Sequence, residues 1–431
     1  MTSKQLFTHF VEILKTTNMK NFTTTLILFL SIGSIIGQVS DSVFLQPGYT
    51  NQSYYHLDNG EVTNVDNTNW DLAFDASGYG SAIRINGMTG TKLYVYPNGD
   101  TSAWSTTIDV SGISSWNEIS NSDTSWSIGA FNSTILSNDP FDLGWGVYSM
   151  ITHHINGDSI HVIELSNGSY KKLQMIKLSS GNYDFKYADL DGSNEVITSV
   201  SKSNYPGKNF GYYSIQNNTA IDREPTSDSW HIVFTKYITE LMPGMNYGVT
   251  GVLTNSGVEV AKAENVDVNN VDHNGYTFSS QINSIGYNWK SYGSSGYTIQ
   301  DSLCFFIKDV SNDIWKLQLT GFVGSSTGGI HFNVENISST DITSIDNKTI
   351  FNVYPNPTQG REISLLYDID NLEMDNSLNI FDMNGRIVKS TKLYNNGFNE
   401  KKISLENFNS GIYLISFTNG KEIIRKKLIV Q

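Results

Sequence analysis

Cysteine is all but missing from this chain of 431 residues. The single Cys304 rules out an internal disulfide. Its setting, Leu303-Cys304-Phe305-Phe306-Ile307, reads as a buried strand carrying a structural thiol and not a reactive one. Basic residues are scarce as well: 28 Lys and Arg face 42 Asp and Glu. The deficit sits in residues 38–350, with 15 basic against 32 acidic side chains and a net charge of −17, which argues against nucleic acid and anionic membrane surfaces as partners. No apolar stretch reaches transmembrane length, the nearest being the roughly eleven residues from Leu26 to Ile36. Catalytic signatures are missing too: there is no G-x-S-x-G elbow, no H-E-x-x-H, no phosphate-binding G-x-x-x-x-G-K and no Cys-His pairing. A carboxylate pair for glycoside hydrolysis leaves no such trace, because its members meet only in space.

What the chain does have is aromatic residues, at 12%, and 36 glycines among many Asn, Ser and Thr. That composition suits an all-β extracellular protein with turn-rich loops, and the length allows two or three domains with substantial cores. Near the start, Met19-Lys20-Asn21 leads into the Leu26–Ile36 run and then Gly37-Gln38, the layout of a secretory signal peptide over residues 19–38. Residues 1–18 fit no targeting pattern, so Met19 is the expected start and the mature chain is expected to begin near Gln38 or Val39.

Residues 351–431 carry four motifs in order. Pro355-Asn356-Pro357-Thr358-Gln359-Gly360 opens, Asp382-Met383-Asn384-Gly385-Arg386-Ile387-Val388 and Ser410-Gly411-Ile412-Tyr413-Leu414-Ile415 follow, and Lys426-Lys427-Leu428-Ile429-Val430-Gln431 ends the chain. The first two are turn formers, and the alternating runs between them, such as Ile363-Ser364-Leu365-Leu366-Tyr367, predict half-buried strands of a small antiparallel sandwich. The ordered set resembles the type A C-terminal sorting domain of the type IX secretion system of Bacteroidetes. That resemblance implies passage through the periplasm to the outer-membrane surface or the medium, with the type IX machinery as the partner of residues 351–431.

The body contains an internal duplication. Asn69-Trp70-Asp71-Leu72-Ala73-Phe74 recurs as Ser229-Trp230-His231-Ile232-Val233-Phe234, and Met88-Thr89-Gly90 finds an echo in Val249-Thr250-Gly251. Trp145 with Asp158-Ser159-Ile160-His161-Val162-Ile163 lines up with Trp289 and Asp301-Ser302-Leu303-Cys304-Phe305-Phe306, and Lys172-Leu173-Gln174 matches Lys316-Leu317-Gln318. Two related units over 48–215 and 222–338 are expected, joined by a polar linker at 339–350 to the sorting domain. The repeated order resembles the HmuY-like family of Bacteroidetes surface proteins, Trp230-His231-Ile232-Val233-Phe234-Thr235-Lys236-Tyr237 being the best single piece. The resemblance implies two tandem antiparallel β domains before the small Ig-like sandwich. It also implies capture of haem by an extracellular haemophore, with an outer-membrane receptor as a further partner.

Haem iron held by protein needs His or Met ligands on opposite faces of the porphyrin. His153, His154 and His161 cluster around Asn156-Gly157, a two-residue hairpin signal. A type I′ turn there would pair Ile155 with Asp158, His154 with Ser159 and Thr152 with His161. His154 and His161 would then share one face as diagonal neighbours about 7–8 Å apart, a spacing that suits a zinc ion better than a porphyrin. A haem site would take one of the hairpin histidines and a second ligand from elsewhere, with His231, Met150 and Met175 as candidates. The second repeat has Tyr297-Thr298-Ile299-Gln300 where Thr152 to Ile155 stand in the first, and His273 and His331 sit singly in polar surroundings that read as surface.

Two weaker constellations remain. Asp189-Leu190-Asp191-Gly192-Ser193-Asn194-Glu195 has oxygens at alternating positions like a calcium loop but lacks the full pattern, so it reads as an Asx-rich turn. Trp104, Trp116 and Trp126 lie between polar turns and suit either a sugar-stacking surface or core packing. The expected protein is a secreted, non-enzymatic, ligand-binding surface protein with haem or a related tetrapyrrole as ligand. An adhesive module binding glycan or protein is the alternative, and a divergent extracellular hydrolase the third reading.

Overall fold

Alternation of apolar and polar side chains builds strands along the whole chain; in Ile314–Phe322 nearly every second residue is buried, the period-2 signature of a pleated strand with one face on a core. The computed structural model of the chain describes residues 38–294, 296–338, 351–369, 376–383, 385–394, 397–419 and 423–431. The expected signal peptide, up to Gly37, and the 339–350 linker lie outside the described residues. Among those described, every element is a β-strand or a short 3₁₀ turn, the longest turn being Thr101–Ser105, so the protein is all-β as its composition predicts.

Four sheets make up two sandwiches in the body. In the first, a sheet ordered Val196–Ser201, Asn182–Ala188, Tyr170–Ser179, Ser159–Glu164, Lys92–Asp100 and Glu118–Ile119 faces Thr219–Ile221, Phe210–Ser214, Leu72–Asp75 and Ile83–Ile85. Leu72, Phe74, Leu93, Leu173, Phe185 and Tyr213 meet between them. In the second, Val39–Phe44, Gly329–Asn336, Ile314–Phe322, Leu303–Lys308 and Glu259–Glu264 face Met245–Thr254, Ile232–Met242, Asn51–His56 and Gly60–Asp66. Its core centres on Phe234 and Phe332, stacked at 5.0 Å, with Tyr55 edge-on to Phe332 at 5.0 Å. Each such buried aromatic contributes about 1.5–3 kcal/mol. Cys304 is buried, as its strand setting predicts.

The duplication is real in space, but its frame differs from the expected 48–215 and 222–338. Residues 48–66, assigned to the first unit, lie in the second. Tyr55 pairs with Ile232 and Tyr54 with Val233, just as Tyr213 pairs with Leu72 and Tyr212 with Ala73 in the first sandwich. Val39–Phe44 likewise flanks Gly329–Asn336 as Val196–Ser201 flanks Asn182–Ala188. The first sandwich is therefore contiguous, from Leu72 to Ile221, whereas the second is completed by the first three strands among the described residues. A Tyr-Tyr strand precedes each Trp strand in sequence, so the linear repeat alone could not say to which side it belongs. The Trp strands themselves are equivalent: Asn86 Nδ2 donates to the carbonyls of Asn67 and Trp70, and Asn255 Nδ2 to those of Ser227 and Trp230. Met88-Thr89-Gly90 lies at a 3₁₀ turn while Val249-Thr250-Gly251 is mid-strand, so that echo is not structural.

The C-terminal segment packs a three-stranded sheet (Phe351–Tyr354, Glu362–Ile369, Gly397–Ser404) on a four-stranded one (Ile387–Lys392, Asn376–Phe381, Gly411–Asn419, Ile423–Val430). Its motifs have physical jobs. The Asn356 side chain accepts from Ile429 N–H at 2.9 Å and donates to the Lys427 carbonyl at 2.6 Å, while Thr358 N–H donates to the Ile429 carbonyl at 2.9 Å and its carbonyl accepts from Gln431 N–H at 2.8 Å. Asp382 accepts from both the backbone and Nε of Arg386 around Gly385, whose φ of +78° suits glycine.

Candidate ligand-binding cleft

The two Tyr-Tyr strands and the two Trp strands bring their equivalents together at one place, a cavity of about 100 Å³ between the body's sandwiches, lined by Tyr54, Trp70, Trp230 and Tyr212 with Trp126 and Phe210. That volume holds several water molecules or one small cyclic ligand. Trp70 stands edge-on to Tyr212 at 5.0 Å and Trp230 edge-on to Tyr54 at 4.9 Å, so each sandwich contributes one Trp–Tyr pair.

Buried charge fixes this aromatic frame. The Arg84 guanidinium donates to the carbonyls of Ser122, Ser125, Trp126 and Ile128 at 2.7, 2.8, 3.4 and 3.2 Å and lies 5.0 Å from the Trp126 ring centre. It thereby ties down the loop that carries Trp126, whose Nε1 donates across to the Thr254 carbonyl at 2.8 Å. Burial lowers the Arg84 pKa to about 10. Arg223 donates to the Asp66 carbonyl at 2.8 Å and lies 4.9 Å from the Tyr212 ring centre and 5.9 Å from that of Trp70, a cation–π setting that takes the place of partners for its Nε and Nη1.

Glu224 is the cleft's titrating group. Its carboxyl accepts from Tyr212 O–H at 2.7 Å and from Asn209 N–H at 3.2 Å, and burial raises its pKa to about 7 in spite of those bonds. Burial likewise pushes the Tyr54 and Tyr212 phenols up. Asp123, also on the lining, accepts from Thr239 O–H and from Asn283 Nδ2 at 3.1 Å. The buried Nε1 of Trp230 has no protein partner. The cleft thus offers flat aromatic faces beside fixed polar groups.

The histidines lie elsewhere. Asn156-Gly157 does not form the expected turn: Ile155 and Asn156 pair with Leu178 and Lys177, and His161 with Leu173 on the same partner strand. Residues 155–157 and 159–164 therefore follow one another along one neighbour, Thr152 is not opposite His161, and His154 and His161 share no hairpin face. Close approach explains Gly157, since a Cβ there would lie 1.8 Å from the Met175 carbonyl oxygen. The reversal falls earlier, closed by His153 N–H on Ser149 O at 2.8 Å with His153 at φ 57°.

His153 is exposed beside Tyr148 O–H at 2.8 Å, His154 is half-buried, and Met150 is 67% exposed at the same turn. His231 is buried, its Nδ1 accepting from Leu57 N–H at 3.2 Å, with the His56 ring 4.2 Å away. Burial lowers its pKa to about 4. Met175 lies in the core of the first sandwich. His161 is buried against Phe131 at 4.7 Å, has no partner on either ring nitrogen, and is lowered by burial to about 4. It lines a second, more open cavity of about 430 Å³ with Val95, Leu136, Val147 and Asp158. None of these residues lines the aromatic cleft, and among the described residues no three His, Cys, Asp or Glu are grouped to hold a metal ion.

The Asp189 to Glu195 segment closes on itself, with Asp189 accepting from Asn194 at 2.6 Å and Asp191 from Ser193 at 2.6 Å. The tryptophan trio is divided. Trp104 lies under Lys186 and Trp116 against Tyr96, and only Trp126 reaches the cleft. Sequence reasoning missed Arg84, Arg223 and Glu224. The run of charges Asp222-Arg223-Glu224 after an uncharged stretch was the one available signal.

Fold and tail together define the class: an all-β protein with a body of two sandwiches and a C-terminal export domain. Residues 352–431 match the family model of the secretion system C-terminal sorting domain, which implies export by the type IX system to the cell surface or extracellular space and interaction with that machinery. No curated protein matches the chain. Among the described residues no helix is long and apolar enough to cross a membrane.

Proposed function

We propose that this is a non-enzymatic binding protein acting outside the cell, and that the aromatic cleft receives a sugar unit of a glycan. The composition of the cleft carries this reading: Trp70, Trp126 and Trp230 offer stacking faces while Arg84, Asn86, Asn121 and Glu224 surround them with hydrogen-bonding groups, the mixture of apolar wall and few polar groups that ligand sites use. Titrating the full chain with a panel of oligosaccharides while following tryptophan fluorescence tests it. Saturable change that disappears in Trp70→Ala and Trp126→Ala is expected, and a panel without response in the wild type would overturn it. New reducing ends released by the wild type but not by Glu224→Gln would move the protein to the divergent hydrolases.

A second reading, capture of haem or a related tetrapyrrole, is favoured by His161. Its ring nitrogens are unengaged, it lines a cavity of mixed walls, with Val95, Leu136 and Val147 beside Asp139, Asp142 and Asp158, and burial keeps it neutral, the form that ligates iron. His161→Phe is the variant of choice, because the strand register places Phe305, one residue on from the Cys304 that the sequence repeat sets against His161, at the matching position of the second sandwich, pairing with Leu317 as His161 pairs with Leu173. A Soret band lost in that variant supports haem capture, and no saturable band in the wild type removes it.

A further inference from the structure

His331 reads from sequence as a surface residue, yet none of it is exposed. What covers it is the sorting domain: the Phe398 ring stands edge-on to the imidazole at 4.2 Å, and a side chain at Gly321, opposite His331 in the sheet, would come 3.2 Å from the same ring. Nearby, Phe44 stacks on Tyr354 at 4.0 Å, Gln46 Nε2 donates to the Tyr354 hydroxyl, and Asn352 Nδ2 donates to Asp41 at 3.3 Å. Lys426 Nζ donates to Asn352 from a setting desolvated enough to lower its pKa.

The first sandwich supplies an internal comparison. Its residues at the same sheet irregularity, Lys177 and Asp184, form an ion pair at 3.6 Å and are 42% and 33% exposed, so the face left in water there is covered in the second sandwich. The cover is imperfectly matched, since it takes the His331 imidazole out of water with only the Asp41 backbone as a hydrogen-bonding neighbour. Desolvating a polar ring weakens the contact that buries it. Stacked aromatics therefore hold the domain while a desolvated imidazole and ammonium oppose it, which makes a contact suited to release.

We propose that the face formed by Asp41, Phe44, Gln46 and His331 is an intramolecular docking surface for the sorting domain, covered until that domain leaves and then presented to water. Exchange of the imidazole C2 proton with deuterium, read residue by residue by mass spectrometry, tests this on the full chain. His161, enclosed within the body, and His153, exposed, serve as slow and fast internal references. In the intact chain His331 should exchange as slowly as His161. In Phe398→Ala with Tyr354→Ala, and after cutting a protease site placed within 339–350 and separating the sorting domain, it should speed up severalfold towards His153 while His161 stays slow. Fast exchange of His331 in the intact chain would overturn the proposal. So would continued protection after separation, because the body alone would then bury it. A rise in His161 together with His331 would mean that the body has loosened, and would equally deny the sorting domain its role as cover.

Discussion

Replacing Glu224 by glutamine should remove a defined piece of the pH dependence of stability. The carboxyl titrates near 7 in the folded chain against an ordinary 4.5, so between those values the folded chain holds a proton that the unfolded chain has lost. Its stabilising contribution is complete below pH 4.5 and disappears as pH rises through 7. At 1.36 kcal/mol per pH unit the whole effect is about 3 kcal/mol. His161 and His231, lowered to about 4 from 6.5, act the other way, with stability lost as pH falls below 6.5, but they are common to both proteins and cancel. Glutamine keeps an acceptor for Tyr212 O–H and turns a donor towards the Asn209 N–H, which adds an offset independent of pH. Urea unfolding followed by tryptophan fluorescence between pH 4 and 8 should show the wild type losing about 3 kcal/mol relative to Glu224→Gln across pH 4.5 to 7.5. A difference curve flat across that range would refute the assignment, because it would mean that the folded carboxyl titrates as it does in water.

Gly157→Ala should cost more than about 4 kcal/mol or prevent folding, since its Cβ would lie 1.8 Å from the Met175 carbonyl oxygen in the middle of a sheet; a thermal midpoint near wild type would contradict the close approach. Cutting the chain between Asp66 and Trp70 should leave residues 39–66 bound, held by pairing with both Gly329–Asn336 and Ile232–Met242, and gel filtration under native conditions should find the fragments together. His161→Phe should stabilise the chain by about 1–3 kcal/mol, the usual cost of a buried polar group without a partner, and a destabilised variant would show that the imidazole has a partner in solution.

Local chemistry was legible in the sequence and long-range pairing was not. The turn motifs of residues 351–431, the buried strand around Cys304 and the equivalence of Trp70 with Trp230 all follow from patterns within a few residues. The His154 and His161 hairpin failed because Gly157 has two readings, a tight turn or a close backbone approach, and only the neighbouring Met175 strand decides between them. The frame of the duplication failed for a similar reason: Tyr54-Tyr55 is joined in sequence to one sandwich and in hydrogen bonds to the other. The cleft could not be read because its members come from both Tyr-Tyr strands, both Trp strands and the loop held by Arg84. His331 misled because its cover arrives from a different domain.

Completing the second sandwich with the first described strands has a kinetic meaning. Ser40 and Asn333, hydrogen-bonded at 2.7 Å, are 293 residues apart, among the slowest kinds of contact for a chain to find. Residues 72–221 can assemble as soon as they are made, whereas Val39–Phe44 must wait for Gly329–Asn336, and Asn51–His56, paired on one side with Gly60–Asp66, keeps its other edge open until Ile232–Met242 exists. Open edges are where chains misassociate. The first of the described strands is thus the last to find its place, and the second sandwich stays incomplete until its final body strand is made.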